Sequence, residues 1–196
     1  MTQSFPPKEF LYKSDFDKRG ALFFLGTMGY QTTYQNPDSV RRQVRAFSSS
    51  LSAGSPSDIV GRAHANCHTV NQAFSFFGFQ FTAARRLMPT CYSIRNRNSD
   101  GYVLLSWRFE GSNDLINWQL LDARYHDLHD DHTRDHMCKK SAASTWGIDL
   151  SLYDSIGYNG FSAFRIVQID MNSGGTHNLC LSNIEVYGKP ANVDAW

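Results

Sequence analysis

The sequence predicts an all-β fold in which two antiparallel sheets pack face to face. Helical periodicity is scarce, short runs of β-branched and aromatic residues recur, and clusters of Gly, Asn, Asp and Ser separate these runs. The length of 196 residues fits one domain with short flanking segments. We therefore expect a β-sandwich over residues 14–188, with extended tails at 1–13 and 189–196.

The clearest strand pattern lies in Tyr102–Glu110. Val103, Leu105, Trp107 and Phe109 share one parity, which predicts one face in the core and one face in water. The turn-forming residues 111–114 follow and predict a hairpin to a strand at 118–121. By the same criteria the other predicted strands are Ala21–Leu25, Val44–Ser48, Phe76–Phe81, Cys91–Arg95, Ala163–Asp170 and Leu179–Tyr187.

Charge and composition exclude several classes of function. Nineteen Lys and Arg balance 18 Asp and Glu, so no long-range field favours nucleic acid or an anionic membrane. The sequence has no run of about 18 apolar residues, which argues against membrane insertion, and its first residues do not resemble a secretory signal. We expect a cytoplasmic protein whose four scattered cysteines are reduced thiols.

An ordered series of segments along the chain forms a recognisable pattern. The segments are Ser14–Gly20, Phe24–Thr27, Tyr34–Pro37, Ser48–Leu51, Gly54–Pro56, Asn66–His68, Arg86–Arg95, Trp107, Glu110–Asp114, Trp118, Phe164–Ile166 and Leu181–Gly188. Together they resemble the F5/8 type C-like, or discoidin-like, modules, and the resemblance covers about residues 14–188, nearly the whole predicted domain. Gln80-Phe81-Thr82 departs from the pattern, because such modules usually have Asp-Leu-Gly there.

The resemblance implies a galactose-binding-like jelly roll that acts as a binding module. Such modules often accompany BTB or HECT-type ubiquitin-ligase regions, and short relatives serve as subunits of larger machines. It therefore implies a non-catalytic protein-interaction module held by a protein partner, in a ubiquitin-ligase-like assembly or in a ciliary or cytoskeletal complex.

Loops at the ends of the sandwich are the predicted binding surface. Arginine side chains offer planar donor forks for carboxylates, and Asn and Asp side chains add directional hydrogen bonds to a peptide or a glycan. Such residues also serve ordinary turns, which is the competing interpretation. The candidate residues are Asp58, Arg62, Asn66, His68, Arg95, Asn96, Arg97, Asn98 and Asp100.

Two alternative functions stay open. The end loops could bind a glycan or a lipid headgroup, which predicts an exposed aromatic side chain beside 95–100 and a shallow polar pocket. The second alternative is metal binding in the segment 126–138, where His126, His129, His132 and His136 would share one side of a helix and could bind zinc. Asp and His are poor helix formers, so a solvated loop without a cofactor is the competing expectation.

Signatures of catalysis and of calcium binding are missing. The sequence has no Gly-x-Ser-x-Gly elbow, no His-Glu-x-x-His, no Walker A loop and no Gly-x-Gly-x-x-Gly. The segment Ser14–Gly20 superficially resembles a calcium loop, but it lacks the spaced acidic ligands and the terminal Glu of an EF-hand. We interpret it as a turn that precedes a strand, and we expect no enzyme.

Overall fold

The computed structural model describes residues 7–125, 139–157 and 159–196. The strands are β1 Val44–Ser48, β2 Cys67–His68, β3 Phe76–Phe81, β4 Leu87–Arg95, β5 Trp107–Ser112, β6 Gln119–Arg124, β7 Ala143–Gly147, β8 Ala163–Gln168, β9 Cys180–Leu181 and β10 Asn183–Pro190. The helical elements are α1 Ala21–Gly26, α2 Leu152–Ile156 and two 3-10 helices, η1 Pro56–Val60 and η2 Val193–Ala195.

The strands form an antiparallel sandwich, as the sequence predicts. One layer has the order β1-β3-β8-β5-β6, the facing layer has the order β10-β4-β7, and β2 pairs with β9. The pairings between these strands are antiparallel. The crossovers place sequence-distant strands side by side, so chain segments from several parts of the sequence meet at each end of the sandwich.

Aromatic side chains join the two layers. Tyr92 of β4 stacks on Phe109 of β5 with 4.1 Å between the ring centroids, and Trp107 meets Trp146 edge-to-face at 4.8 Å. Trp107 is fully buried, and its Nε1 donates a hydrogen bond of 2.9 Å to the Tyr92 hydroxyl. The predicted alternation therefore places Trp107 and Phe109 in the core.

The outer face of the five-stranded sheet carries a different aromatic group. Arg165 lies over Trp118 at 4.1 Å and over Phe76 at 5.0 Å, and it pairs with Glu110 at 2.7 Å. Phe77, Phe79 and Phe81 point into the core, whereas Phe76 is only half-buried. The Phe-rich strand thus has one dry face and one face covered by its own neighbours.

The strand predicted at Ala21–Leu25 is wrong, because this segment forms helix α1. A short apolar run fits a buried strand and a buried helix equally well. The side-chain carboxylate of Glu185, from β10, accepts hydrogen bonds from the backbone N–H groups of Leu22 (2.8 Å) and Phe23 (3.1 Å). A residue more than 160 positions away thus accepts the hydrogen bonds of backbone N–H groups that have no partner within the first turn of the helix.

The chain ends also differ from the predicted extended tails. Phe10 is buried and pairs with Gly188 through two backbone hydrogen bonds, and β10 continues to Pro190. Trp196 packs on Phe81 with ring centroids 5.0 Å apart. Pro190 is compatible with the strand because β10 ends at this residue, where the N–H group that proline lacks has no hydrogen-bond partner.

Candidate ligand-binding site

Three loops form one pocket at an end of the sandwich. Two of them follow β2 and β4, and the third precedes β9. Pairing of His68 with Cys180 joins β2 to β9, and β4 ends at Arg95 just before the loop that continues to Tyr102. The cavity has a volume of about 290 Å³ and opens to solvent. It is lined by His68, Arg97, Tyr102, Thr176, Asn178 and Cys180.

Arg97 is held in place by its own loop. Its Nη2 donates a hydrogen bond of 2.9 Å to the Asp100 carbonyl, and its Nε donates one of 3.4 Å to the Ser99 carbonyl. The guanidinium carbon lies 4.8 Å from the centroid of the Tyr102 ring, within cation–π range. The guanidinium group is therefore positioned before any ligand arrives.

The opposite wall is built by the loop that precedes β9. Asn172 shapes this loop by donating hydrogen bonds to the Thr176 hydroxyl (2.9 Å) and to the Asn178 carbonyl (2.8 Å). The amide nitrogen of Asn178 donates to the Thr69 carbonyl at 2.9 Å. This contact fixes the Asn178 side chain, and Asn178 is one of the residues that line the pocket.

The lining of the pocket carries positive charge and no carboxylate side chain. Arg97 supplies this charge and His68 adds an imidazole ring, whereas none of the ion pairs among the described residues includes Arg97. A positioned arginine fork without a carboxylate partner suits an incoming anion.

Four of the candidate residues named from sequence hold the framework instead of lining this pocket. The carboxylate of Asp58 accepts a 2.8 Å hydrogen bond from Ser55 N and completes a capping box on η1. Arg95 donates to the Asn183 side chain at 2.9 Å and lies over Phe16 at 4.1 Å. Asn96 is buried, with 2% of its surface exposed.

Arg62 is the fourth framework residue and the most connected. Its guanidinium bonds to the carbonyls of Phe16 and Asp17 and forms an ion pair of 3.0 Å with Glu185, whose side chain is 1% exposed. It also lies over the Phe23 ring at 4.8 Å. Arg62 therefore ties the segment before α1 to the core.

The other predicted residues border the pocket or lie in its loops. His68 and Arg97 line it, whereas Asn66, Asn98 and Asp100 are exposed nearby in sequence. Asn98 accepts a 3.1 Å hydrogen bond from the hydroxyl of Ser141, which lies 43 positions further along the chain, so the contact joins two loops.

Sequence reasoning did not name Tyr102, Thr176 or Asn178 as site residues. Tyr102 directly follows the Arg95–Gly101 loop, where the glycan alternative predicts an exposed aromatic, and it is 40% exposed with φ +55°. It was assigned to a strand, but β5 begins only at Trp107. Thr176 and Asn178 reach the pocket through the pairing of β2 with β9, which no local pattern reveals.

Two segments bear on metal binding, 126–138 and Ser14–Gly20. His126, His129, His132 and His136 lie outside the described residues, so zinc binding there stays a prediction for native mass spectrometry. Over residues 7–125, 139–157 and 159–196, no cluster of three or more His, Cys, Asp or Glu side chains could hold a metal ion. Within Ser14–Gly20, the Asp17 carboxylate accepts from Lys13 N and Arg19 N, so it serves a turn.

The cysteine thiols of the described residues are poor nucleophiles. Cys67, Cys91 and Cys180 are free, and burial raises the pKa of Cys67 to about 12 and that of Cys91 to about 11. The thiolate is the reactive form, so little of it exists near neutral pH.

We expect Cys67 to react with iodoacetamide at pH 8 about 10³-fold more slowly in the folded protein than after unfolding, because its thiolate fraction falls with the raised pKa. Peptide mapping after timed alkylation measures this rate residue by residue. Equal rates before and after unfolding would show that the thiol is accessible and ionised in the fold.

Comparison with known proteins identifies solved structures that share this fold. No protein-family model matches the chain. CBM32-3 from a family 31 glycoside hydrolase of Clostridium perfringens has a TM-score of 0.56 at 13% identity, covering 76% of this chain and 92% of that one. CpGH89CBM32-5 from Clostridium perfringens, in complex with GalNAc-β-1,3-galactose, has a TM-score of 0.54 at 11% identity, covering 74% and 95%. The chain therefore has the predicted galactose-binding-like, discoidin-like jelly-roll fold.

Curated proteins also match most of the chain by sequence. The E3 ubiquitin-protein ligase Ufd4 of Drosophila melanogaster is 28% identical over 190 residues, which are 94% of this chain. The E3 ubiquitin-protein ligase hecd-1 of Caenorhabditis elegans is 29% identical over 192 residues. The chain spans only 6% and 7% of the lengths of these proteins. No helix in the described part of the chain is long and apolar enough to cross a membrane.

Proposed function

We propose that this chain is a non-catalytic recognition module that binds an acidic segment of a partner protein in the pocket. The observation that carries this proposal is the position of Arg97. Its guanidinium is held by its own loop and faces a cavity without a lining carboxylate. Arginine binds carboxylates through paired hydrogen bonds, which gives both affinity and orientation. An Asp or Glu side chain of a partner segment would complete this arrangement, and Asn178 would hold its backbone.

The similarity to E3 ubiquitin-protein ligases supports a role inside a larger ligase-type assembly. The aligned region covers nearly all of this chain but a small part of each ligase, as expected for one accessory module of a long protein. In this proposal the module selects or holds a protein, and another part of the assembly supplies the chemistry. The cytoplasm, including its ciliary or cytoskeletal structures, is the proposed location.

Glycan binding at the same pocket is the second candidate. An exposed tyrosine beside Arg97 and a polar, open cavity are the two features that this alternative predicts. However, Arg97 covers one face of the Tyr102 ring. The backbone of Gly174 also lies close to this ring, since a Cβ atom added to Gly174 would be 2.7 Å from a ring carbon of Tyr102. A sugar that stacks on this ring has at most the remaining face, so the peptide hypothesis is preferred. A lipid headgroup would use the same donors.

The test is selection of binders from a displayed library of random peptides. We expect the wild-type chain to enrich peptides with Asp or Glu, and Arg97→Ala to lose this enrichment by at least about tenfold, because one charged hydrogen-bonded contact is worth about 1.5–3 kcal/mol. Arg108→Ala is the matched control, since Arg108 is exposed on β5 and remote from the pocket lining. Unchanged selection by Arg97→Ala would contradict the proposal.

A glycan array and phosphoinositide-containing vesicles separate the alternatives. The proposal predicts no saturable signal on either, with the selected peptide as positive control. A glycan signal that Tyr102→Ala abolishes would establish the second candidate instead. A signal on anionic vesicles that Arg97→Ala abolishes would establish the lipid alternative.

A further inference from the structure

A second cavity lies at the other end of β4. Arg97 follows the last residue of β4 by two positions, and Arg85 precedes the first by two, so the nine-residue strand separates them by roughly 30 Å. The cavity has a volume of about 150 Å³ and is bounded by α1 and its following turn, the residue before β1, the β3–β4 turn and the last residue of the chain. It is lined by Phe24, Leu25, Met28, Gly29, Gln43, Arg85 and Trp196.

Arg85 is the only charged side chain in this lining, and its charge is uncompensated by the described residues. Its Nη1 donates to the carbonyl and hydroxyl oxygens of Thr82 at 3.3 and 3.5 Å. Its Nε is buried and has no hydrogen-bond partner in the described part of the chain, and none of the ion pairs there includes it. Burial lowers the pKa of Arg85, and no neighbouring acid opposes this effect.

The guanidinium of Arg85 has donors that no described group accepts. Nη1 donates to Thr82, no hydrogen bond within the described residues uses Nη2, and the buried Nε has no partner there. Because Arg85 is half-buried and has no acidic partner among the described residues, an anion that pairs with it gains more than it would at a fully exposed arginine.

Most of the other side chains in the lining are apolar, with Gln43 as the polar exception. Phe24 and Leu25 are buried in the core, and Trp196 is fixed by ring contacts with Phe81 and by a 3.2 Å hydrogen bond from its Nε1 to the Arg86 carbonyl. A cavity near 150 Å³ with apolar walls is large enough for a benzene ring. The cavity thus combines room for one small apolar group with one site for an anion.

We propose that this cavity binds a small carboxylate that carries an aromatic or aliphatic group, with the carboxylate on the guanidinium of Arg85 and the apolar group against Phe24, Met28 and Trp196. This site is separate from the pocket of the proposed function and stands on different residues. Its ligand is a free small molecule, because a space of about 150 Å³ suits one ring better than a peptide segment.

The test is titration of the full chain, labelled with ¹⁵N, with 3-phenylpropionate, observed through the Arg Nε–Hε and backbone amide resonances. We expect saturable shifts at Arg85 Nε and at the amides of Met28 and Gly29, with a Kd near or below about 1 mM. The neutral 3-phenylpropanamide is the matched control ligand and should bind at least about tenfold more weakly. Equal binding of the two compounds, or shifts centred on Arg97, would overturn the proposal.

Arg85→Met provides a second test, which combines the stability of the variant with its response to the same ligand. Because the charge is unpaired, its removal should leave the Tm within about 2 °C of the wild type or raise it, while abolishing the response to 3-phenylpropionate. A fall in Tm of more than about 5 °C would show that Arg85 supports the fold, and would overturn the proposal. A folded Arg85→Met variant that still binds 3-phenylpropionate would also overturn the proposal.

Discussion

Replacing Arg62 with Met is expected to destabilise the fold by about 3–5 kcal/mol, because it leaves the carboxylate of Glu185 buried without its charged partner. The change also removes the hydrogen bonds that tie the Phe16 and Asp17 carbonyls to the core. Urea denaturation followed by circular dichroism measures the free energy of unfolding. Arg108→Met, an exposed arginine, is the matched control and should change it by about 0.5 kcal/mol or less.

The same variant should show a pH dependence of definite sign. Burial raises the pKa of Glu185, and the Arg62 guanidinium and three backbone N–H groups oppose this rise. Removing Arg62 therefore raises the pKa further. A raised pKa in the folded state favours the protonated form, so stability is lost as the pH rises through that pKa. We expect the deficit of Arg62→Met to be larger at pH 8 than at pH 5. A deficit that is equal at both values would contradict the assignment.

Replacing Trp107 with Ala is expected to cost about 3–5 kcal/mol, because a fully buried indole between the two sheets leaves a cavity that rigid neighbours cannot fill. The Tyr92 hydroxyl also loses its Nε1 donor. Trp107→Phe retains most of the packing and should lose less, which keeps the experiment informative if the Ala variant does not fold.

Trp118→Ala is the matched control for Trp107→Ala. Trp118 is half-buried on the outer face, where its main partner is Arg165 at 4.1 Å, so its loss should cost about 1 kcal/mol. Chemical denaturation of both variants gives the comparison. Similar losses at the two positions would contradict the claim that only one face of β5 and β6 packs into the core.

The strands could be predicted where one face of the strand is buried in the core and the other face is exposed to solvent. Alternation around Trp107 and Phe109 gave the core face directly, and the turn after β5 gave the hairpin. The helix at Ala21–Gly26 could not be predicted in this way. Its first turn depends on the carboxylate of Glu185 from the far end of the chain, and local sequence contains no sign of that contact.

The sequence named only part of the lining of the candidate pocket, and ligand binding there stays a prediction. His68 and Arg97 do line a pocket, and an exposed aromatic does stand beside the 95–100 loop. Arg62 and Arg95 could not be separated from Arg97 by sequence, since all three are arginines in polar loops. Their partners, Glu185 and Asn183, are 123 and 88 positions away, and only the folded chain shows which guanidinium stays available.

The most direct test of the recognition hypothesis is chemical-shift mapping of the full chain with an acidic peptide obtained from the library. The proposal predicts saturable shifts at His68, Arg97, Tyr102 and Asn178, and a loss of binding in Arg97→Ala without a loss of fold. Shifts centred instead on Phe76, Trp118 and Arg165, on the outer face of the five-stranded sheet, would show that the module uses a different surface and would contradict the proposed site.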